Sequence, residues 1–276
     1  MTPRLSRIVT CYRQWSYLQQ WVARDDLFLP GVEWIVVNDA PNDPPGPALL
    51  AVLERRGIRV LTAVCNLGRS RARNLGAREA QGEWLDFIDG DDHPLPLAAE
   101  AFAGQDLDLI SCPVRLADAG SIPFTEPERA PIRPFDMWPE LLPRFAPINV
   151  APCGLLWRRS FLLHLEGYDA AFDGAEDLHL VFRAMNLGGR LGRFESPKQC
   201  YFLRSLRATF QPVHIYGHRR ALEQIVRDAR DPGIREAAQR WLGKQVTYEV
   251  VAALHTVWRH RRLVWRYFWF RLRHLF

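Results

Sequence analysis

A mixed α/β domain built on a mostly parallel, Rossmann-like sheet flanked by helices is predicted by three observations. Short apolar runs rich in β-branched and aromatic residues recur at Arg7 to Tyr12, Val32 to Val37, Ile58 to Ala63 and Trp84 to Ile88, each the length of a buried strand. Segments with helical periodicity lie between them, and strands that alternate with helices form parallel sheets. Polar residues gather just past two of the runs: Asn38 and Asp39 after the second, Asp89, Asp91 and Asp92 after the fourth. In open α/β sheets, ligands bind at these carboxyl ends.

The elements follow in order. After the first strand, Gln14 to Ala23 carries Trp15, Leu18 and Val22 at helical spacing, and VEWIVV is the second strand. PNDPPGP is a loop by composition, followed by a helix from Ala48 to Arg56 and a strand from Ile58 to Ala63. The helix Arg69 to Ala80 leads into the Trp84 to Ile88 strand. Leu107 to Leu116 is apolar, and the Pro-rich, aperiodic stretch from Ile122 to Pro147 has the character of a loop laid over the active-site face. Val150 to Trp157 reads as a strand, AEDLHLVFRAMNLGG as a helix closed by Gly188, and Arg190 to Leu203 as one or two strands. Beyond Pro212 the chain reads as helix, broken near Asp231, Pro232 and Gly233.

At 276 residues, 48% hydrophobic and 24% charged, the chain is globular rather than disordered or fibrous. Its five cysteines, at 11, 65, 112, 153 and 200, show no zinc spacing, so reduced thiols of the cytoplasm are expected rather than a disulfide framework. The amino-terminal apolar segment is too short for a signal peptide, and no run of about 18 uncharged apolar residues is long enough to span a membrane. A net charge of +5 suits anionic partners such as nucleotide diphosphates or phospholipid.

The acidic turn FIDGDD carries the most chemistry. Asp and Gly are ordinary turn residues, but three carboxylates this close repel one another unless a cation is bound. Mg²⁺ or Mn²⁺ takes one or two carboxylates together with substrate phosphate oxygens, and Gly90 favours a tight turn between the acids.

Five segments in order resemble family 2 inverting glycosyltransferases of the GT-A fold, over about residues 6 to 205. RIVTCYRQWSYL resembles the first strand, with Arg13 where Asn is usual, and VEWIVVNDA the second, with Asn38, Asp39, Ala40 in place of Asp-Asp-Gly. NLGRSRARN matches the segment Asn-x-Gly-x-x-x-Ala-Arg-Asn through Asn66, Gly68, Ala72, Arg73 and Asn74. FIDGDD matches the metal-binding DXD-type motif, and GYDAAFDGAED the late Gly-Tyr-Asp and Glu-Asp motifs.

The resemblance implies a nucleotide-sugar donor, uridine-based by expectation. Thr10, Tyr12 and Asp39 would line the nucleoside pocket, Asn66 would join the donor site, and Asp89 and Asp91 would serve the ribose and diphosphate. Asp91 and Asp92 would hold Mn²⁺ or Mg²⁺. Of the arginines at 69, 71, 73 and 78, Arg73 is expected to meet diphosphate oxygens, the others forming a solvated face. Asp177 is the expected general base for the attacking hydroxyl, with Glu176 its nearest competitor; the bland reading of both acids is favourable placement at a helix start. A base opposite the leaving group gives inversion. The expected acceptor is a glycan or lipid-linked hydroxyl, in surface polysaccharide biosynthesis.

Two features stand apart. His214 and His218 share helical spacing but lack a third ligand, and are taken as structural. After Glu249 there is no acidic residue, while Arg259, Arg261, Arg262, Arg266, Arg271 and Arg273 alternate with Trp258, Trp265, Tyr267, Phe268, Trp269 and Phe270. Such a basic aromatic helix docks on anionic membrane or packs on protein, including a second copy in a homodimer. No nucleic-acid fold accompanies it. The expected division is a GT-A glycosyltransferase domain over residues 1–210 and a helical extension over 211–276, in a cytoplasmic enzyme at the inner face of the membrane. The competing readings are a degenerate domain serving as a scaffold and a nucleotide-sugar nucleotidyltransferase, although CYRQWS replaces the Gly-rich loop of the latter.

Overall fold

A computed structural model describes residues 3–102, 104–112, 114–118, 132–133, 154–194, 198–203 and 212–243. The strands in chain order are β1 (Leu5–Cys11), β2 (Val32–Asn38), β3 (Arg59–Thr62), β4 (Trp84–Asp89), β5 (His93–Pro94), β6 (Leu109–Ser111), β7 (Val114–Asp118), β8 (Ile132–Arg133), β9 (Leu155–Arg158), β10 (Leu191–Arg193) and β11 (Gln199–Leu203). The helices are α1 (Trp15–Trp21), α2 (Pro47–Arg55), α3 (Arg69–Glu79), α4 (Arg159–His164), α5 (Glu176–Asn186) and α6 (Pro212–Asp228), followed by a helix over residues 232–243.

The main sheet has the order β10–β6–β9–β4–β1–β2–β3. All its neighbours are parallel except β9, which runs antiparallel to both β4 and β6. Strands covered on both faces read as continuous apolar runs rather than alternating ones, which is why β1, β2 and β4 were visible in the sequence. Ile8, Ile35, Val37, Leu85 and Phe87 pack with α3, α4, α5 and α6 in one cluster. Val9, Cys11, Val36 and Ile88 pack with Trp15, Leu18, Trp21, Leu49 and Leu53 of α1 and α2 in another.

Helix α3 lies close against β1 and β2 because Gly76 has no side chain: a Cβ there would fall 2.4 Å from Ile8 Cγ2. The break expected after α6 is real. Asp231 Oδ1 accepts hydrogen bonds from the Gly233 and Ile234 amides at 2.7 and 3.2 Å, capping the next helix. Ala221, Leu222, Ile225, Ile234, Ala238 and Trp241 then join the cluster of Leu180, Val181 and Ala184, so residues 212–243 share the core of the α/β body.

A second, four-stranded sheet in the order β5–β11–β7–β8 stands beside the main one. The sequence reading did not separate it out, and it had no helix for Arg159–His164. The expected strand from Val150 is described from residue 154 and forms β9. Most of Ile122 to Pro147, the side chain of His214, and the basic aromatic tail lie outside the described residues. His218 is half-buried. Cys11, Cys65 and Cys112 are free thiols, and no helix among the described residues is long and apolar enough to cross a membrane.

Candidate active site

The parallel register sets the carboxyl ends of β1, β2 and β4 side by side: Thr10 lies opposite Asp89, and Cys11 opposite Asn38. Gly90 then brings the acidic turn against β1. A Cβ there would lie 2.7 Å from both the Thr10 carbonyl oxygen and Gln14 Oε1. Close approach, rather than a left-handed backbone, accounts for this glycine, which is not among the glycines with positive φ. The Asp92 amide donates to the Asp89 carbonyl at 2.9 Å and closes the turn. Asp91 is half-buried and Asp92 buried.

Asp39, buried at the end of β2, receives the Leu67 amide on Oδ1 at 2.6 Å and the Gly68 amide on Oδ2 at 3.0 Å. Asn66 Oδ1 also accepts from the Gly68 amide, at 2.9 Å. Asp39 and Asn66 thus fix the loop that opens α3. Asn38 keeps its turn in order, its Oδ1 accepting from the Ala40 amide at 3.0 Å, and Ala40 is not among the residues with positive φ. Arg13 is different: its φ of 58° is left-handed, a region Asn tolerates best after Gly and other residues enter at a cost of about 1 kcal/mol. Its guanidinium sits 5.5 Å from the ring centre of Tyr12, which is exposed. Thr10 is half-buried.

At the centre of the site is Arg73. Ala72, Gly76 and Ala77 form the buried small-residue face of α3, and Arg73 is buried with them, while Arg69, Arg71 and Arg78 are exposed. Its Nη2 donates to Asp89 Oδ1 at 2.7 Å and its Nη1 to Glu176 Oε1 at 2.9 Å. The guanidinium lies 5.3 Å from the ring centre of Tyr168. Each terminal nitrogen gives an N–H to a carboxylate, and each carries a second N–H. Burial alone would raise Asp89, but Arg73, with Arg69 and Lys198 behind it, holds the carboxyl below its ordinary range. Glu176 is held low in the same way by Arg73 and Arg69, against burial, and its Oε2 accepts from the Gly174 amide at 2.8 Å. Asn74 pins the other wall, its side-chain amide exchanging two 2.8 Å hydrogen bonds with the Tyr168 backbone.

Asp177 behaves in the opposite manner. Burial, then the neighbouring Glu176 charge, pushes its carboxyl up to about 7. Oδ1 accepts from the Leu178 amide at 2.8 Å. Of two adjacent acids at the start of α5, one is locked as an anion and the other is poised to exchange a proton near neutral pH.

Three side chains escaped the sequence reading. Arg7, Asp86 and Lys198 form a wholly buried ionic cluster. Its signal was present as a charge inside each of two apolar strands, LSRIVTC and WLDFID.

The chain belongs to glycosyl transferase family 2, whose family model matches residues 6–161. It is 30% identical over 175 residues to the O-antigen biosynthesis protein RfbC of Myxococcus xanthus, covering 60% of this chain but 13% of that protein. The chain therefore spans a small part of that relative. Among solved structures it resembles S. aureus TarS 1–349 in complex with UDP (TM-score 0.62, 16% identity, 88% of this chain and 72% of the other). It also resembles the mannosyltransferase PcManGT from Pyrobaculum calidifontis in complex with GDP-Man and Mn²⁺ (TM-score 0.57, 16% identity, 92% and 76%). At these identities the likeness shows the fold, which is GT-A.

Proposed function

We propose that this protein is a metal-dependent inverting glycosyltransferase that moves a sugar from a nucleoside diphosphate donor, UDP-linked by preference, to a hydroxyl of a glycan or lipid-linked acceptor in surface polysaccharide biosynthesis. The observation that carries this reading is the Asp89–Arg73–Glu176 bridge, which joins the acidic turn to the helix bearing Asp177. The named relative supports the setting, and the neighbours in complex with UDP and with GDP-Man and Mn²⁺ support the donor class and the metal.

Asp91 and Asp92 fit a divalent cation by their chemistry: adjacent carboxylates on a turn closed by the Asp92 amide. Two carboxylates would suffice with donor phosphate oxygens completing the ligand set, as is usual for Mg²⁺. When bound, the metal neutralises charge developing on the departing diphosphate. The protein's own residues do the rest. Thr10, Tyr12, Asp39 and Asn66 frame the nucleoside, and Arg73 keeps Asp89 ionised towards the ribose and diphosphate. Asp177 takes the proton of the acceptor hydroxyl as its oxygen bonds to the anomeric carbon and the bond to diphosphate breaks. Attack from the side opposite the leaving group inverts the centre.

Ligand binding to the native state raises its stability. With UDP at a hundred times its dissociation constant and Mn²⁺ present, a gain of about 2.7 kcal/mol is expected, read as a rise in melting temperature. Asp91→Ala loses the manganese-dependent part. No rise with any nucleotide would move a scaffold role to the front.

The carboxyl-terminal tail beyond Glu249 belongs to the same reading. Its arginines and aromatic residues dock the enzyme on anionic lipid beside the acceptor. Flotation with vesicles containing phosphatidylserine should retain the full chain and lose a version ending at Glu249; equal retention would rule the tail out as the anchor.

A further inference from the structure

Arg7 of β1, Asp86 of β4 and Lys198, just before β11, have no exposed surface, yet every charged group finds partners. Arg7 Nε donates to Asp86 Oδ2 at 2.9 Å, Nη1 to the Leu95 carbonyl at 2.7 Å and Nη2 to the Lys198 carbonyl at 3.0 Å. Lys198 Nζ donates to the other Asp86 oxygen, and to the carbonyls of Leu155 at 3.2 Å and Phe87 at 3.5 Å. The Leu95 amide in turn donates to the Lys198 carbonyl at 2.9 Å. Arg7 is also stacked against Trp34, 4.7 Å from its ring centre.

Among the described residues, two cations stand against one carboxylate, a surplus of buried charge and an expensive way to gain stability, since apolar residues of similar volume hold a core together at least as well. What the cluster holds is more telling than that it holds. Asp86 stands three residues before Asp89, and Leu95 three residues after Asp92. The acidic turn is strung between β4 of the main sheet and β5 of the second, and β5 pairs with the Gln199–Cys200 segment that Lys198 introduces. One buried cluster therefore clamps both ends of the turn, and it does so across the junction of the two sheets.

We infer that Arg7 and Lys198 are positioning residues for the acidic turn, fixing both of its ends and thereby setting how tightly Asp91 and Asp92 hold a divalent cation with the donor. This rests on the metal-binding reading of the turn. The test uses Arg7→Lys and Lys198→Met in the full chain. The first keeps a charge beside Asp86 but cannot reach both the Leu95 and Lys198 carbonyls; the second leaves a neutral Arg7–Asp86 pair. Mn²⁺ is titrated at saturating UDP and followed by the rise in melting temperature, with the ligand-free melt recorded alongside. The manganese midpoint should move up about tenfold, the lower end of the loss seen when groups supporting metal ligands are altered. The plateau at saturating metal should return to the wild-type rise.

A lowered ligand-free melt with an unchanged manganese midpoint would assign the cluster to structure alone and overturn the inference, and so would failure of both variants to fold. A wild-type protein with no manganese-dependent response would instead overturn the proposed function itself, which separates the two failures.

Discussion

Replacing Arg73 with Met is expected to cost about 3 kcal/mol of stability at neutral pH, because it strands the buried Glu176 carboxylate and the half-buried Asp89 carboxylate, which now share one guanidinium. Arg69 remains 3.6 Å from Glu176 and compensates in part; at Asp89, once the 2.7 Å contact is lost, Arg69 and Lys198 act through longer-range attraction. The pH dependence distinguishes charge from packing. Burial raises Asp89 and Glu176, but the cations around them, Arg73 foremost and Arg69 beside it, together outweigh it and depress both. The stability they lend is present above their unfolded pKa values and lost as pH falls through the folded ones. In the variant, protonation at low pH relieves the stranded charges. The gap in melting temperature between wild type and Arg73→Met should therefore be widest near pH 7 and shrink towards pH 4, followed by thermal denaturation across that range. A gap independent of pH would make Arg73 a packing residue.

Asp177→Asn should leave nucleotide binding in place while lowering kcat by about 10²–10⁴-fold, the usual contribution of a positioned general base. In the wild type, burial and Glu176 push the carboxyl up to about 7. Turnover should accordingly rise tenfold per pH unit below about 7 and level off above it. The stability sign is the reverse of that for Asp89. Asp177 retains its proton in the folded state from the ordinary 3.8 up to about 7, so its ionisation costs stability as pH rises through that window and the full cost is present above it. The Asn variant escapes the cost, and at pH 8 it should melt no lower than the wild type while being far slower. Steady-state rates and melts on the same preparations check both halves. A variant that keeps wild-type turnover would remove Asp177 from the reaction.

The fold was legible where burial left an unbroken mark. VEWIVV and WLDFI are covered on both faces, so they carry few polar residues and read as strands directly. The second sheet left no such mark, because β5 is two residues long and contains Pro94, and β11 pairs with β7 across more than eighty residues. Sequence periodicity reports a segment's own faces and says nothing of so distant a partner. The role of Arg73 was half legible. Gly76, Ala77 and Ala80 follow it at helical spacing and mark an inward face, but the arginines around it gave the impression of a solvated helix. Which of Glu176 and Asp177 was held as an anion could not be read from adjacent letters; it depends on a guanidinium arriving from 103 residues earlier. Arg7 and Asp86 stood as charges inside apolar strands, and that discord was the sign of a buried cluster.

The central claim is that the acidic turn holds a donor whose sugar is displaced with Asp177 as base. It is tested most directly by incubating the wild-type protein with UDP-sugars and GDP-sugars, with and without Mn²⁺, while following nucleoside diphosphate release and the configuration of the first-formed sugar product by proton NMR. The account predicts manganese-dependent release from a UDP-sugar, with the product inverted relative to the donor. Retention of configuration, or no release from any donor, would contradict it.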